Sequence, residues 1–266
     1  MSIISMLTDF GLEDEYVGVM KGVILSIDPA AVIVDITHRV EPQDILQAAF
    51  LIKSSFRFFP KKTVHVIVVD PGVGDDRAIL ACEKDHHIFI APDNGVLTLL
   101  LDEGDVGRVV RIENSDYFLN PVSQTFHGRD IFAPVAAYLS RGTPMEELGP
   151  GIFPNEVKRL PIPKATVAET GTIVGNVVAI DRFGNLITNI DLKLLPQYGI
   201  SEKKAVVAIG GVILTGIMPS YTSVKTGFPL VIAGSRGCLE IAVNKGSAQA
   251  LLHAAIGDTV RIGKDD

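Results

Sequence analysis

Cysteine and long apolar segments are scarce in this chain, and each scarcity narrows the class of protein. Cys82 and Cys238 are the only cysteines among 266 residues, and they lack the CxxC spacing of a cysteine-based zinc site. Two cysteines so far apart in the sequence favour a reducing compartment. We expect both to be small core residues. No apolar run approaches the ~20 residues of a membrane helix, and no basic or cleavable segment precedes the first strand, so we expect a cytoplasmic protein without a membrane partner.

Clusters of basic residues are also missing. The chain has 24 Lys and Arg against 31 Asp and Glu, which gives a net charge of -7 at pH 7. Because binding to a phosphate backbone requires a basic patch, nucleic acid is not expected as a partner. What the chain does have is length and apolar content, with 47% hydrophobic residues, enough for a substantial core and for two domains.

The order of strand and helix signals predicts two domains of different class. Over residues 1–150 the signals alternate, as in the helical spacing of Glu15–Ile27 and the continuous apolar run of Thr63–Val69. This predicts an α/β domain with a mostly parallel sheet. Prolines and glycines punctuate residues 151–166, which predicts a linker. Strand signals without long helices fill residues 167–266, which predicts a small all-β, barrel-like domain.

Carboxylates follow four of the predicted strands. Asp70 lies in VVDPGVG, directly after an apolar strand, and Asp9, Asp35 and Asp93 follow other strands. Because ligands bind outside the carboxyl ends of strands in such sheets, these side chains are site candidates. A cluster of this kind can bind a metal, the hydroxyls of a ribose or a cationic ligand. Asp before Pro-Gly is also ordinary turn chemistry, so some of the four are expected to be turn formers only.

Several long motifs carry a resemblance to a known family. They are VVDPGVG (Val68–Gly74), TDFG (Thr8–Gly11), DEYVGVMKG (Asp14–Gly22), APDNG (Ala91–Gly95), TFHGRDIFAP (Thr125–Pro134), AIDRFGNLITNI (Ala179–Ile190) and GSRGCLEIAVN (Gly234–Asn244). Together they resemble the S-adenosylmethionine hydrolases that use water as the nucleophile, relatives of the fluorinase and chlorinase enzymes. The resemblance spans nearly the whole chain. It implies hydrolysis of S-adenosyl-L-methionine to adenosine and L-methionine, by attack of an activated water or hydroxide at C5′ of the ribose.

The resemblance implies that Asp70, Arg77 and His127 handle the water. The halogenase relatives lack the complete trio. A guanidinium beside the oxygen favours hydroxide character, and either the Asp or the His can accept the proton, so the identity of the base stays open. Each residue also has a structural explanation, since Arg77 could form a solvent-facing ion pair and His127 could be a satisfied, partly buried histidine. The other histidines lack such motifs and are interpreted as structural or exposed.

Substrate-binding positions follow from the same resemblance. Asp9 matches a carboxylate that receives both ribose hydroxyls, for which two acceptor oxygens suit a vicinal diol. Asp181 and Asn185 fall in the motif that contacts the methionine end and the adenine. Ser235 and Arg236 match the pair near the methionine carboxylate, which a guanidinium binds bidentately. Further substrate-binding candidates are Tyr16, Glu240 and Val243.

The resemblance also implies an assembly and a cofactor requirement. It implies a homotrimer, with each site between the α/β domain of one subunit and the β domain of its neighbour. No metal or organic cofactor is expected, because methionine leaves as a neutral thioether from an activated sulfonium.

Two alternatives stay open on the residues themselves. The first is a metal-dependent phosphohydrolase with Asp9, Asp70, Asp93 and His127 around a divalent ion. The second is a non-catalytic protein that binds a nucleoside or S-adenosylmethionine in the same pocket.

Overall fold

The computed structural model describes residues 2–264, which form two compact units divided between Pro161 and Ile162. Both units are built on mixed β-sheets, and each buries its own hydrophobic core. No helix in the described range is long and apolar enough to cross a membrane.

The first unit is a sheet of seven strands with helices packed against it. Its strands are β1 (Ile3–Thr8), β2 (Val32–Thr37), β3 (Val64–Val68), β4 (Ile79–Lys84), β5 (His87–Pro92), β6 (Val106–Arg111) and β7 (Gly151–Ile152). Its helices are α1 (Tyr16–Ile27), α2 (Ile45–Ser55), α3 (Thr98–Leu101) and α4 (Ala133–Ser140). Single turns of 3₁₀ helix cover Phe56–Phe58, Ser115–Tyr117 and Met145–Leu148, and a π-helical turn covers Gly128–Phe132.

The sheet of the first unit is partly parallel. The strand order is β2-β1-β3-β5-β4-β6-β7, with parallel pairing from β2 to β5 and antiparallel pairing from β5 to β7. The prediction of a mostly parallel sheet therefore holds for one half only. In the other half, Asp85 and His86 join β4 to β5 as a tight hairpin, both with positive φ, and a two-residue connection cannot make a parallel crossover.

Alternation along β3 explains why that strand is apolar throughout. Val64, Val66 and Val68 belong to the core cluster that includes residues of α1 and α4. His65 points to the other face, where it contacts the ring of Phe56, just after α2. Because successive side chains of a strand point to opposite faces, the strand is covered on both sides and its carboxyl end is the part that reaches solvent.

The segment expected to be a linker is partly ordered into the first unit. Gly151 and Ile152 form β7, which pairs with β6. Further on, the backbone N–H of Leu160 donates to the Thr98 hydroxyl at 2.8 Å. The first unit therefore extends through these hydrogen bonds to Pro161.

The second unit is rich in strands, as the sequence predicts. Its strands are β8 (Thr166–Val167), β9 (Ile173–Ile180), β10 (Leu186–Asp191), β11 (Ala205–Ile209), β12 (Val212–Thr215), β13 (Ile217–Met218), β14 (Pro229–Ala233), β15 (Cys238–Val243) and β16 (Thr259–Lys264). Its helical segments are α5 (Leu194–Gln197), α6 (Ala248–Leu252) and 3₁₀ turns at Glu202–Lys204 and Tyr221–Ser223.

The sheet of the second unit is nearly barrel-shaped. The order is β12-β11-β16-β9-β10-β15-β14-β13, with β8 on β9. The first and last strands of this order, β12 and β13, are separated in the chain by Gly216 alone, which has φ of 78°. The two ends of the sheet are therefore brought next to each other, which is what closure into a barrel requires.

Candidate active site

A pocket lies at the carboxyl ends of the parallel strands in the first unit. Its volume is about 410 Å³, within the usual range for small-molecule sites. The residues that line it come from the segments after β1, β2 and β3 and from the segment before α4. They are Asp9, Phe10, Tyr16, Pro42, Gln43, Val68, Asp70, Pro71, Val73, Thr125, Phe126, His127 and Gly128.

Asp70, Arg77 and His127 form one hydrogen-bonded group at this pocket. The Nε and one terminal nitrogen of Arg77 donate to Oδ2 of Asp70 at 2.8 and 2.6 Å. The same terminal nitrogen lies 2.8 Å from Nδ1 of His127. The side chains of Arg77 and Asp70 are only 8% and 4% exposed, so the pair is not the solvent-facing ion pair that the sequence alone allowed. A buried, charge-assisted contact of this kind is far stronger than one in water.

The chemistry of the guanidinium fixes the tautomer of His127. Arginine has donors and no acceptor, so Nδ1 of His127 must accept, and the proton of the neutral ring is on Nε2. Asp70 is arranged differently. Its Oδ2 takes both bonds from Arg77, whereas its Oδ1 is buried and has no hydrogen-bond partner among residues 2–264. A buried carboxylate oxygen without a partner is costly, and at a pocket it is the natural acceptor for a proton on a bound molecule.

His127 is neutral in this setting. Burial lowers its pKa from the ordinary value, and the positive charge of Arg77 lowers it further. The carboxylates of Asp70 and Asp130 and a backbone hydrogen bond with Ser123 act in the opposite direction without cancelling the effect. Because Nδ1 accepts from Arg77, only Nε2–H of the neutral ring can donate the hydrogen bond to the backbone at Ser123, so Nε2 is a donor and not a base.

Close backbone approach explains how residues far apart in sequence meet. A Cβ on Gly74, whose φ is 85°, would lie 2.5 Å from the carbonyl oxygen of Gln124. Only glycine lets the VVDPGVG turn approach the segment that precedes His127 so closely. On the other side of the turn, the Asn94 amide donates to the carbonyl of Val69 at 2.9 Å and holds the backbone next to Asp70.

Aromatic rings form one wall of the pocket. Phe10, Tyr16 and Phe126 contact one another with ring centroids 5.1 to 6.0 Å apart. A Cβ on Gly128 would lie 3.3 Å from Phe126 and 3.4 Å from Phe10, so this glycine lets the rings pack against the π-helical turn. The wall offers an apolar surface for a ring or a carbon skeleton.

Asp9 is held by an unusual backbone conformation. Its Oδ2 accepts the backbone N–H of Gln43 at 2.8 Å, and Gln43 has φ of 67°, a region that a residue with a side chain rarely adopts. Asp44 then begins α2 by accepting from the N–H of Gln47. The strained residue thus orients a carboxylate at the pocket, where such strain is commonly found.

The remaining predicted residues lie in the second unit, close to one another. Asp181 accepts from the backbone N–H of Phe183 and from both the backbone and the amide of Asn185 at 2.9 Å. Glu240 is on β15, opposite Ile187 of β10, and burial raises its pKa. Arg236, which is exposed, lowers that pKa, and Asp181 raises it. Ser235 is exposed in the same β14–β15 turn, and Val243 is buried at the end of β15.

The two other carboxylates predicted at strand ends do not line this pocket, and Asp35 lies inside β2 and not after it. Oδ1 of Asp93 accepts the backbone N–H of Lys158, and Asp35 pairs with Lys21 at 2.6 Å. Within residues 2–264 no group of three or more His, Cys, Asp or Glu side chains is arranged to hold a metal ion. The geometry therefore does not favour the phosphohydrolase alternative.

Several residues at the site were not predicted from the sequence. Gln43, Phe10 and Phe126 line the pocket, and Asn94 braces the strand end. Phe10, Phe126 and Asn94 lie inside the family motifs quoted above, and this could have identified them as site residues. Gln43 is the third residue of a turn in which the Asp44 N–H donates to the Glu41 carbonyl at 3.0 Å, and Pro42 at the second position was the available signal, because a type II turn needs positive φ at its third residue.

Comparison with known proteins shows similarity along almost the whole chain. Residues 4–149 match the SAM hydroxide adenosyltransferase N-terminal domain, and residues 175–261 match the corresponding C-terminal domain. A Salinispora arenicola protein named (R)-S-adenosyl-L-methionine hydrolase is 36% identical over 97% of each chain. An Actinoplanes protein named fluorinase is 28% identical over 98% of this chain and 97% of its own. These matches confirm the resemblance carried by the motifs.

A solved structure shows the same architecture. The crystal structure of an uncharacterised conserved protein from Thermotoga maritima superimposes with a TM-score of 0.92 at 40% identity. It covers 98% of this chain and 100% of its own.

Replacing Arg77 tests the arrangement around His127. In Arg77→Met the pKa of His127 is expected to rise, because the positive charge that lowers it is gone and the carboxylate of Asp70 stays nearby. An NMR titration of the His127 ring protons measures the change. Arg57→Met, which removes an exposed arginine elsewhere, is the control and leaves this pKa unchanged. An unchanged or lower His127 pKa in folded Arg77→Met would contradict the arrangement.

Proposed function

Because the chain belongs to the SAM hydroxide adenosyltransferase family, we propose that it hydrolyses S-adenosyl-L-methionine to adenosine and L-methionine, with Asp70, Arg77 and His127 handling the water. The observation that carries this assignment is the group of these three side chains in a pocket that also contains Asp9. A nucleophile, its base and a diol acceptor are thereby available in one place.

The reaction exchanges one bond at C5′ for another. A lone pair of the water oxygen forms the C5′–O bond, and the C5′–S bond breaks with its electron pair on sulfur. Methionine leaves as a neutral thioether, and one proton is lost from the water. No metal or organic cofactor is required by this balance, because the sulfonium is already an activated leaving group.

Asp70 is the base in this proposal. Its Oδ1 is buried and unpartnered within the described residues, so it can accept the proton of the attacking water. His127 has its proton on Nε2, because Nδ1 accepts from Arg77, and in this proposal that N–H orients the water oxygen by donation in place of its bond to the backbone at Ser123. Arg77, which donates two hydrogen bonds to Asp70, supplies positive charge beside the developing hydroxide.

The aromatic wall and Asp9 bind the nucleoside part of the substrate. The two carboxylate oxygens of Asp9 accept from the 2′ and 3′ hydroxyls, and Phe10, Tyr16 and Phe126 cover the apolar side of the ribose and its substituents.

Residues of the second unit complete the site in a homotrimer. Arg236 and Ser235 contact the methionine carboxylate, and Asp181 and Asn185 contact the methionine end and the adenine. We assign Glu240 and Val243 to substrate binding as well. We also propose that the protein is cytoplasmic. The resemblance to the family supports these assignments.

Product analysis in heavy-oxygen water tests the reaction. Incubation of the chain with S-adenosyl-L-methionine, excess chelator and H₂¹⁸O is expected to give equal amounts of L-methionine and adenosine, with the label in the 5′ hydroxyl. Mass spectrometry of both products measures this. A strict metal requirement, or 5′-halo-adenosine as the main product in chloride or fluoride, would contradict the proposal. Tight binding without turnover would establish the non-catalytic alternative instead.

Paired substitutions identify the base. Asp70→Asn is expected to lower single-turnover rates by about 10²-fold or more, because the amide cannot take the proton. Affinity for adenosine changes little. His127→Asn retains an acceptor for Arg77 and is expected to lose less activity. Asp93→Asn, which alters a strand-end carboxylate outside the pocket, is the matched control. Greater loss in His127→Asn than in Asp70→Asn would reverse the assignment.

Mixing inactive variants tests the shared site. Asp9→Ala removes the acceptor of the ribose diol from the first unit's side of the site. Arg236→Ala removes the partner of the methionine carboxylate from the second unit's side. Each homotrimer is therefore expected to be inactive. After subunit exchange, hybrid trimers contain sites with both halves intact, and part of the activity returns. Native mass spectrometry verifies the exchange and the trimer mass. Absence of recovery in verified hybrids would place both halves of the site in one subunit.

A further inference from the structure

A buried chain of polar side chains lies behind Asp9. The Thr8 hydroxyl, which is fully buried at the end of β1, is 2.8 Å from Nδ1 of His38. Nε2 of His38 is 3.1 Å from Oδ1 of Asp35, and Oδ2 of Asp35 accepts from Lys21 of α1 at 2.6 Å. The His38 side chain is 1% exposed. From the sequence alone, His38 is interpreted as structural or exposed, with no relation to the pocket.

The direction of each hydrogen bond follows from its ends. Burial alone would raise the pKa of Asp35, but the hydrogen bond from Lys21 and the close contact with His38 hold it below the ordinary value. An ionised Asp35 accepts only, so the His38 proton is on Nε2 and Nδ1 accepts from the Thr8 hydroxyl. The Nε2 contact with Asp35 is too bent for a strong hydrogen bond, so its contribution is mainly electrostatic. The bond to Thr8 is the well-formed link.

This chain fixes the backbone on both sides of Asp9. The Thr8 oxygen accepts the backbone N–H of Phe10 at 3.3 Å, and the carbonyl of His38 accepts the backbone N–H of Gly11 at 2.8 Å. Thr8 can hold Phe10 only if its own hydroxyl proton points elsewhere, and Nδ1 of His38 receives that proton. Thr8 has no exposed surface, so it cannot act as a nucleophile on a bound substrate.

We propose that His38 is a positioning residue that acts through Thr8 to fix the rotation of the TDFG segment, and hence the aim of the Asp9 carboxylate at the ribose hydroxyls. The inference rests on the proposed function, because it takes Asp9 as the acceptor of the diol. It assigns to a buried histidine far from the reacting atoms a part in recognising the ribose.

Two substitutions of His38 separate its two nitrogens. The amide of Asn reaches the position of Nδ1, and the amide of Gln reaches the position of Nε2. His38→Asn thus keeps an acceptor for Thr8, whereas His38→Gln keeps only the contact toward Asp35. If the link to Thr8 positions Asp9, His38→Asn behaves like the parent protein and His38→Gln does not. Thr8→Val removes the same link from the other side, and Thr8→Ser restores it.

The readout is discrimination between adenosine and 2′,3′-dideoxyadenosine, which lacks both hydroxyls. Calorimetric titration is expected to show the parent protein and His38→Asn binding adenosine more tightly than the dideoxy compound. In His38→Gln and Thr8→Val this preference falls by about tenfold, the scale of one well-placed hydrogen bond to a charged group, while affinity for the dideoxy compound is unchanged. Equal weakening for both ligands would show a merely structural role and overturn the proposal. Full preference in His38→Gln would also overturn it.

Parallel measurements keep this test distinct from that of the proposed function. If the parent protein discriminates the two nucleosides but forms no methionine, the hydrolysis assignment fails and the positioning proposal is still tested by the same titrations. If the parent protein does not discriminate them, the role of Asp9 fails and the positioning proposal is overturned with it. Thermal unfolding identifies variants that do not fold, and where Thr8→Val does not fold the His38→Asn and His38→Gln pair carries the comparison.

Discussion

The candidate site depends on one donor-only group placed between an anion and an imidazole. The guanidinium of Arg77 is almost buried, and all its hydrogen bonds must be given and none received. It therefore donates twice to one oxygen of the Asp70 carboxylate and places the proton of the neutral His127 ring on Nε2. Removing one member of a buried ion pair leaves the other charge uncompensated. Loss of Arg77 or Asp70 is therefore expected to disturb the arrangement of all three side chains.

Sheet topology decides which carboxylates can meet at this group. Parallel strands end at one edge, so Asp9 after β1 and Asp70 after β3 come to the same pocket. Asp93 follows β5, which is parallel to β3, so it reaches the same edge of the sheet. Its Oδ1 accepts the backbone N–H of Lys158, and this local contact, not the topology, keeps it out of the pocket lining.

The sequence predicts part of this site by general rules and part only by motif. The strand-end rule finds Asp9 and Asp70, because apolar runs and turn residues are local signals. Arg77 and His127 are 50 residues apart and were recognised through family motifs alone, since the approach of Gly74 to Gln124 that joins them is a tertiary contact. The antiparallel half of the sheet was missed for a similar reason. Asp and His adopt positive φ more readily than most residues, but Asp85-His86 lacks the glycine that marks most two-residue hairpin turns.

The relationship to fluorinase raises the question of how a shared fold selects water over a halide. At this site the charges of Asp70 and Arg77 nearly cancel, but they do so unevenly, because Arg77 contacts Oδ2, whereas the buried Oδ1 has no hydrogen-bond partner among residues 2–264. A halide next to that oxygen meets an unshielded negative charge in a poorly solvated position, where like-charge repulsion is strong. A water molecule at the same point can donate a proton to it and is held in place. On the proposal that Asp70 is the base, the same unpaired oxygen takes the proton of the water and disfavours the competing anion, so one feature would serve both the catalysis and the choice of nucleophile.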